Sequence, residues 1–413
     1  MTEYHLPRSR TECETLDARD SLRAARERFA LPPGVIYLDG HSLGPATHGA
    51  LARTEATARS AWAGGLIRSW NTAGWIDLPQ TVGAKIARLI GAEPQDVLVT
   101  DSVSVNLFKL AGAALPLLGT PGQPPYVMYE QGEFPTDASI VVGLCEMTGA
   151  LPFQIAARGA LNTFNGMHGV LIRSLVNYRT GEVADVAAYE AVAAKSGTLI
   201  IWDLSHATGV IDVDLKALGV KLAVGCTYKY LNGGPGAPAF VYVHDMPEKF
   251  MSPIWGWFGA KAQFDFGATF EQKPGAAGFA AGTPPVLSMS ALDAALDAFD
   301  GVDMRTANQK ARALGDLIIA RADAMGLQTI SPREASKRGG HVSLVHESGY
   351  AIVQALIARG IIPDFRSPNA MRFGVAPLYV RFVDVWDAMD QLADILETRA
   401  WDRAEFHARA AVT

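Results

Sequence analysis

"LAVGCTYKYLNGGPG" occupies Leu222–Gly236. An apolar run stops, a lysine stands between two tyrosines, and a glycine-rich turn follows at once. Near-continuous apolar residues are the pattern of a strand buried on both faces, so Lys229 lies just past the end of such a strand. A second run of this kind, "TLIIWD" (Thr198–Asp203), ends on an aspartate. Others are "DVLVT" (Asp96–Thr100), "YVMYE" (Tyr126–Glu130), "GVLIRS" (Gly169–Ser174) and "AFVYVH" (Ala239–His244). Helix-like stretches such as "VNLFKLAGAALPLL" and "VAAYEAVAAKSG" lie between them. That alternation predicts an α/β fold with a mainly parallel sheet. Ligands of such sheets bind beyond the carboxyl ends of the strands, where Lys229 and Asp203 both sit.

After "GTPPVLSMSALDAALDAF" (Gly282–Phe299) the pattern changes. One long helix is expected over about Leu287–Met325, followed by "GGHVSLVH", a helix, "IIPDFR", "AMRFGVAPLYV" and a last helix to about Thr398. This reads as a smaller α+β domain. The expected division is an N-terminal segment, 1–60, packing with the small domain, a large domain, 61–295, and the small domain, 296–413.

The chain has 413 residues, 49% of them hydrophobic and 19% charged, with a formal net charge of −6. That length exceeds what one core serves comfortably. Mild acidity offers no basic face for nucleic acid, and no apolar run approaches the ~20 residues of a membrane span. The N-terminus lacks an apolar signal core. Three cysteines, Cys13, Cys145 and Cys226, show no metal-ligand spacing, and their odd number speaks against a disulfide framework. A soluble cytoplasmic protein without a metal is expected.

A desolvated lysine has a lowered pKa and forms a Schiff base with an aldehyde; the bland alternative for Lys229 is a solvated surface residue. Asp203 is either a helix N-cap or the carboxylate that keeps the pyridine nitrogen of pyridoxal 5'-phosphate (PLP) protonated. In "VTDSVSVNLFKL", Ser102 and Ser104 precede a helix-like run, whose free N–H groups and dipole make an anion site; simple serine capping is the alternative. Tyr228 and Trp257 carry donors that complete a phosphate cradle, or they are packing aromatics. "NGGPG" lacks the strand–GxGxxG–helix context of a dinucleotide site.

The stretch from "WDLSHATG" through "YKYLNGGPGAPAFVYVH" resembles the central signature of the kynureninase family. Those enzymes are PLP-dependent and have the aspartate-aminotransferase fold (fold type I), with a large domain built on a mainly parallel sheet and a smaller α+β domain. The ordered segments "YLDGHSLGP", "LIRSWNTAGWIDLP", "DSVSVNLFKL", "GEFPTD", "SLVNYRTGE", "PIWGWFG", "GTPPVLSMSALDAALDAF", "RGGHVSL" and "IIPDFRSPNAMRFGVAPLY" extend the resemblance over about residues 35–395. It implies a class V aminotransferase relative that cleaves the Cβ–Cγ bond of L-kynurenine hydrolytically, giving anthranilate and L-alanine. The 3-hydroxy form would be a secondary substrate, and the reaction belongs to tryptophan catabolism and NAD biosynthesis. A desulfurase, an epimerase or a hydrolase for a variant aryl substrate is the competing reading within the same group.

By that resemblance Lys229 carries the cofactor, Asp203 pairs with its ring nitrogen and His206 lies beside the ring. Phe134 stacks on the ring, with Asp137 and Ser174 near its edge. Val103, Ser104, Tyr228 and Trp257 hold the phosphate, and Tyr228 also relays a proton. Thr283 reaches in from the partner of a homodimer. Arg372 binds the substrate carboxylate, and Ser42, Trp70 and Asn71 contact the substrate. Ala260 stands where many relatives carry histidine, which bears on the aryl group accepted.

Overall fold

The computed structural model describes residues 4–119, 123–157, 159–265 and 269–409. The first strand, β1 (Ile36–Tyr37), is two residues long. The strands that follow are β2 (Val97–Val99), β3 (Tyr126–Glu130), β4 (Leu151–Ile155), β5 (Gly169–Ser174), β6 (Leu199–Asp203), β7 (Leu222–Gly225) and β8 (Phe240–Val243). They form one seven-stranded sheet in the order β2-β8-β7-β6-β5-β3-β4. Only β8 runs against its neighbours; the other pairings are parallel.

Both faces of this sheet are covered, which is why its central strands read as unbroken apolar runs. On β6, Ile200 and Trp202 enter one core. Ile201 enters the other, with residues of the helices Val103–Leu118 and Pro135–Thr148. The edge strand β4 is absent from the sequence reading. It contains Pro152 and is exposed at three of its five positions, so no apolar signal marks it.

The expected single helix over Leu287–Met325 is two helices. Val286–Ala295 ends in a 3₁₀ turn at Leu296–Phe299, and a new helix runs from Met304 to Ala324. Gly301 takes φ +75° in the break, a left-handed conformation that favours glycine. The Asp303 carboxylate then caps the restart, accepting from the backbone N–H groups of Arg305 and Thr306.

The remaining strands are β9 (Gln328–Thr329), β10 (His341–Val345), β11 (Ile361–Ile362), β12 (Asp364–Arg366) and β13 (Ala370–Gly374). Four of them make an antiparallel sheet ordered β12-β13-β10-β9, while β11 pairs in parallel with β1. The N-terminal segment is tied here by a buried ion pair. Lys310 Nζ lies 2.7 Å from Asp20 Oδ2 and also donates to the Pro377 carbonyl at 2.7 Å. Past β1 the chain turns toward the large sheet, where Gly44 N–H donates to the Tyr228 carbonyl at 2.7 Å. A Cβ at Gly44 would sit 2.1 Å from the Lys229 carbonyl oxygen, so only glycine permits this approach. Among the described residues, no helix is long and apolar enough to cross a membrane.

Candidate active site

β5, β6 and β7 end side by side, with Ser174 and Asp203 in register. Beyond those ends lies a cavity of about 220 Å³. Ser102, Val103, Ser104, Phe134, Asp137, Ser174, Asp203, His206, Tyr228 and Lys229 of the expected set line it. The fold explains the convergence: each residue sits at the carboxyl end of a strand, in the loop that leaves it, or at the start of the next helix.

The loop after β7 is fastened along its length. Cys226 N–H donates to Ser205 Oγ at 3.1 Å, Thr227 Oγ1 to the Pro238 carbonyl at 2.6 Å, and Asn232 N–H to the Lys229 carbonyl at 2.9 Å. Tyr230 Oη reaches β10's side of the molecule, donating to the Gly340 carbonyl at 2.6 Å. Lys229 is thereby fixed, with its Nζ 3.3 Å from both ring nitrogens of His206. The opposite wall is fixed by Glu133, which accepts from Ser174 N–H at 3.1 Å and from Arg173 Nη1 at 2.6 Å.

Electrostatics in the cavity follow from dehydration. Burial pushes the Asp203 carboxyl up, while its hydrogen bond from Ser205 and the nearby Lys229 pull it back. Burial and Lys229 drive His206 well below the usual histidine range, so its ring is neutral. Tyr228 is held above the ordinary phenol range by the Cys226 thiol beside it and by burial. A buried carboxyl facing an amine suits a heteroaromatic base with an aldehyde, because a ring nitrogen can share the carboxyl's proton in a charge-assisted hydrogen bond. The residues fit PLP on that ground.

Anion binding at the start of the helix Val103–Leu118 has a firm base. Ser102 caps it, its Oγ accepting from Val105 N–H at 3.4 Å, and the turn's first N–H groups have no acceptor within a helix. Lys109, buried beneath, lies 2.6 Å from both Asp101 Oδ2 and the Phe279 carbonyl.

Several expected residues lie elsewhere. Trp257 and Thr283 do not line this chain's own cavity: Trp257 packs on Phe258 at 4.6 Å and Phe264 at 5.9 Å, and Thr283 is exposed. Trp70 packs against Trp75 and Phe258, Asn71 is exposed, and Ala260 bridges to Gln272 away from the cavity. Arg372 is buried on β13 and already held. Its Nε and Nη2 engage Asp364 Oδ2, Nη1 donates to the Tyr178 carbonyl at 2.6 Å, and Nη2 donates to Ser42 Oγ at 3.1 Å. With Nη2 engaged by Asp364 and Ser42, Nη1 keeps one N–H for a second carboxylate, and neither Arg372 nor Ser42 is among the residues that line the cavity.

Tyr178 escaped the sequence reading although it lies in a quoted motif. It lines the cavity, and its ring meets Phe134 edge-on at 5.3 Å. Its signal was only an aromatic beside a turn, which is more often packing.

Asp137 carries a pH-dependent cost. Burial, then the charges of Asp203 and Glu133, push its carboxyl up to about 9 against the pull of Lys229, and Oδ2 has no hydrogen-bond partner. An unfolded aspartate titrates near ~4. Between those values the folded chain keeps a proton that the unfolded chain has lost, so stability falls as pH rises through the window. Asp137→Asn should flatten that fall in thermal unfolding of the cofactor-free protein between about pH 5 and pH 9; an unchanged slope would contradict the assignment.

Comparison with known proteins agrees with this geometry. The family model described as "Kynureninase C-terminal domain" matches residues 307–392. A kynureninase of Pseudomonas fluorescens is 44% identical over 98% of this chain and 100% of its own length. One from Burkholderia mallei is also 44% identical, with the same coverage. Among solved structures, a C-DES mutant with glycine covalently linked to its PLP cofactor superposes with a TM-score of 0.78 at 18% identity, covering 89% of this chain and 99% of that one. A cysteine desulfurase of Thermococcus onnurineus gives 0.75 at 14% identity, covering 97% and 99%. The solved structures speak to the fold. With near-full-length identity to curated relatives and a cavity built from the matching motifs, the chain belongs to the kynureninase family.

Proposed function

We propose that this chain hydrolyses the Cβ–Cγ bond of L-kynurenine, giving anthranilate and L-alanine, with PLP held at Lys229. The convergence of Asp203, Tyr228 and Lys229 in one cavity of a kynureninase-family chain carries the reading. When bound, PLP supplies an aldehyde that links to an amine and a protonated ring that draws electron density from the substrate's carbons. With PLP bound, Asp203 would hold the proton on its ring nitrogen, and Lys229 Nζ would move the proton at Cα. Tyr228 Oη, kept protonated by its surroundings, is suited to giving a proton to Cβ rather than taking one. Phe134 and Tyr178 would form one wall against the rings, and Arg372 with Ser42 would receive the α-carboxylate. One water balances the reaction: its hydroxyl joins the carbonyl carbon and a hydrogen ends on Cβ.

The desulfurase reading, which the structural neighbours keep in view, requires an accessible thiol. Cys13, Cys145 and Cys226 are all buried. Burial holds Cys13 at about 12 and Cys145 at about 11, which suits inert thiols. The activity test is anthranilate release from L-kynurenine by the PLP-loaded protein, beside 3-hydroxykynurenine. Tyr228→Phe should slow turnover by roughly 10²-fold or more while cofactor binding persists. Wild-type turnover in that variant would remove Tyr228 from proton transfer, and no release from either substrate would overturn the function.

A second copy of the chain completes the site in this proposal. Trp62, Leu66 and Ile67 stand 59%, 60% and 77% exposed, beside an apolar hollow of about 450 Å³ lined by Trp62, Trp75, Pro284, Pro285 and Leu287. Thr283 immediately precedes those prolines, and it does not reach its own chain's cavity. Exposed apolar surface of this kind marks an interface. Sedimentation at micromolar concentration should show a dimer, and Leu66→Asp with Ile67→Asp should dissociate it and lower activity. A fully active wild-type monomer would contradict this.

A further inference from the structure

Arg372 sits in a buried cluster with more polar atoms than partners. Behind it, the segment after β1 inserts His41, whose Nε2 is 3.9 Å from Asp364 Oδ2 and whose Nδ1 is 3.7 Å from Asp39 Oδ1. The His41 ring stacks on His341 of β10, centroids 5.0 Å apart and 13° from parallel. His341 in turn lies 5.9 Å from the His206 ring. Both ring nitrogens of His41 and of His341, together with Asp39 Oδ1, are buried without a hydrogen-bond partner. Ligand atoms of Asp39, His41 and Asp364 fall within 4.8 Å of one another, close enough for one small cation. Arg372 already supplies that positive charge, through its contacts with Asp364.

Charge balance then poses the problem. Arg366, with its Nε 3.4 Å from Asp364 Oδ2, is the second cation. Two arginines face two aspartates, so the cluster is neutral when both carboxylates are ionised. A substrate carboxylate docking on Arg372 adds one buried negative charge, which is costly unless compensated. Asp39 Oδ1 is a buried acceptor of this cluster without a hydrogen-bond partner.

We propose that Asp39 takes up a proton when the substrate's α-carboxylate docks on Arg372. This rests on the reading of Arg372 as the carboxylate site and gives its neighbours a positioning role. The proton lands on Asp39, whose Oδ1 has no hydrogen-bond partner, while burial and Arg372 hold the His41 ring neutral beside it. Asp39 is poised for this exchange. Burial and the Asp364 charge push it up to about 7, against the Ser42 hydrogen bond and the charges of Arg372 and Arg366. The other titratable groups facing the cluster do not compete. Burial keeps the phenols of Tyr37, Tyr230 and Tyr379 protonated. Burial and the nearby cations keep His206 and His341 neutral.

The test is isothermal titration of the PLP-loaded protein with 3-benzoylpropanoate in buffers of differing ionisation enthalpy. This probe has the carboxylate and aryl ketone but no amine to react at the cofactor. Uptake of roughly half a proton per site is expected near pH 7, falling away in acid, where Asp39 is already protonated. Asp39→Asn should abolish the uptake and flatten the rise of KM above neutral pH, with kcat changed less. Binding without net proton uptake by the wild type overturns the inference and leaves Arg372 as the carboxylate site. Failure of the probe to bind overturns both. Full uptake in Asp39→Asn also overturns it; if that variant does not fold, the wild-type measurement decides alone.

Discussion

The structure depends on one constraint: a buried carboxyl and a half-buried amine brought together past the ends of neighbouring parallel strands. Asp203 is 6% exposed and Ser174 7%, in a cavity closed by helix starts and the loop after β7. A carboxyl in that position is costly unless a basic partner shares its proton. The sheet order places β6 between β5 and β7, so the polar strand ends meet at one point. The apolar faces of the same strands fill the two cores on either side.

That constraint reaches the N-terminal segment. Lys229 is held from below by its own loop and from above by the close approach of Gly44, which side chains larger than hydrogen would block. The same stretch carries His41 and Ser42 to Arg372, and it is anchored behind by the Lys310–Asp20 pair and the β1–β11 ladder. Removing the anchor would loosen the carboxylate end of the site without touching the cofactor end. The two halves of substrate recognition thus rest on different packing, one on the large sheet and one on the contact between the N-terminus and the small sheet.

Much of this was legible in the sequence. β3 and β5 match the predicted runs residue for residue, and β6 differs only at one end, because strands buried on both faces announce themselves by composition. Lys229 and Asp203 were visible for the same reason: a charge at the end of an apolar run is conspicuous. The edge strand β4 and the break at Gly301 were not, since one lacks an apolar run and the other depends on a single glycine in a helix-like stretch. The Asp39–His41–Asp364–Arg372 cluster was invisible as a unit. Ser42 and Arg372 are 330 positions apart, and local pattern cannot pair them. Trp257 and Thr283 match family motifs yet lie off this chain's cavity, and a motif carries no information on where the fold places it.

The central claim is that Lys229 is the residue that holds the cofactor. Reducing the PLP-loaded protein with borohydride and mapping its peptides by mass spectrometry tests this directly. The account predicts a pyridoxyl group on Lys229 in near-stoichiometric yield. A label on another lysine, with Lys229 unmodified, would contradict it.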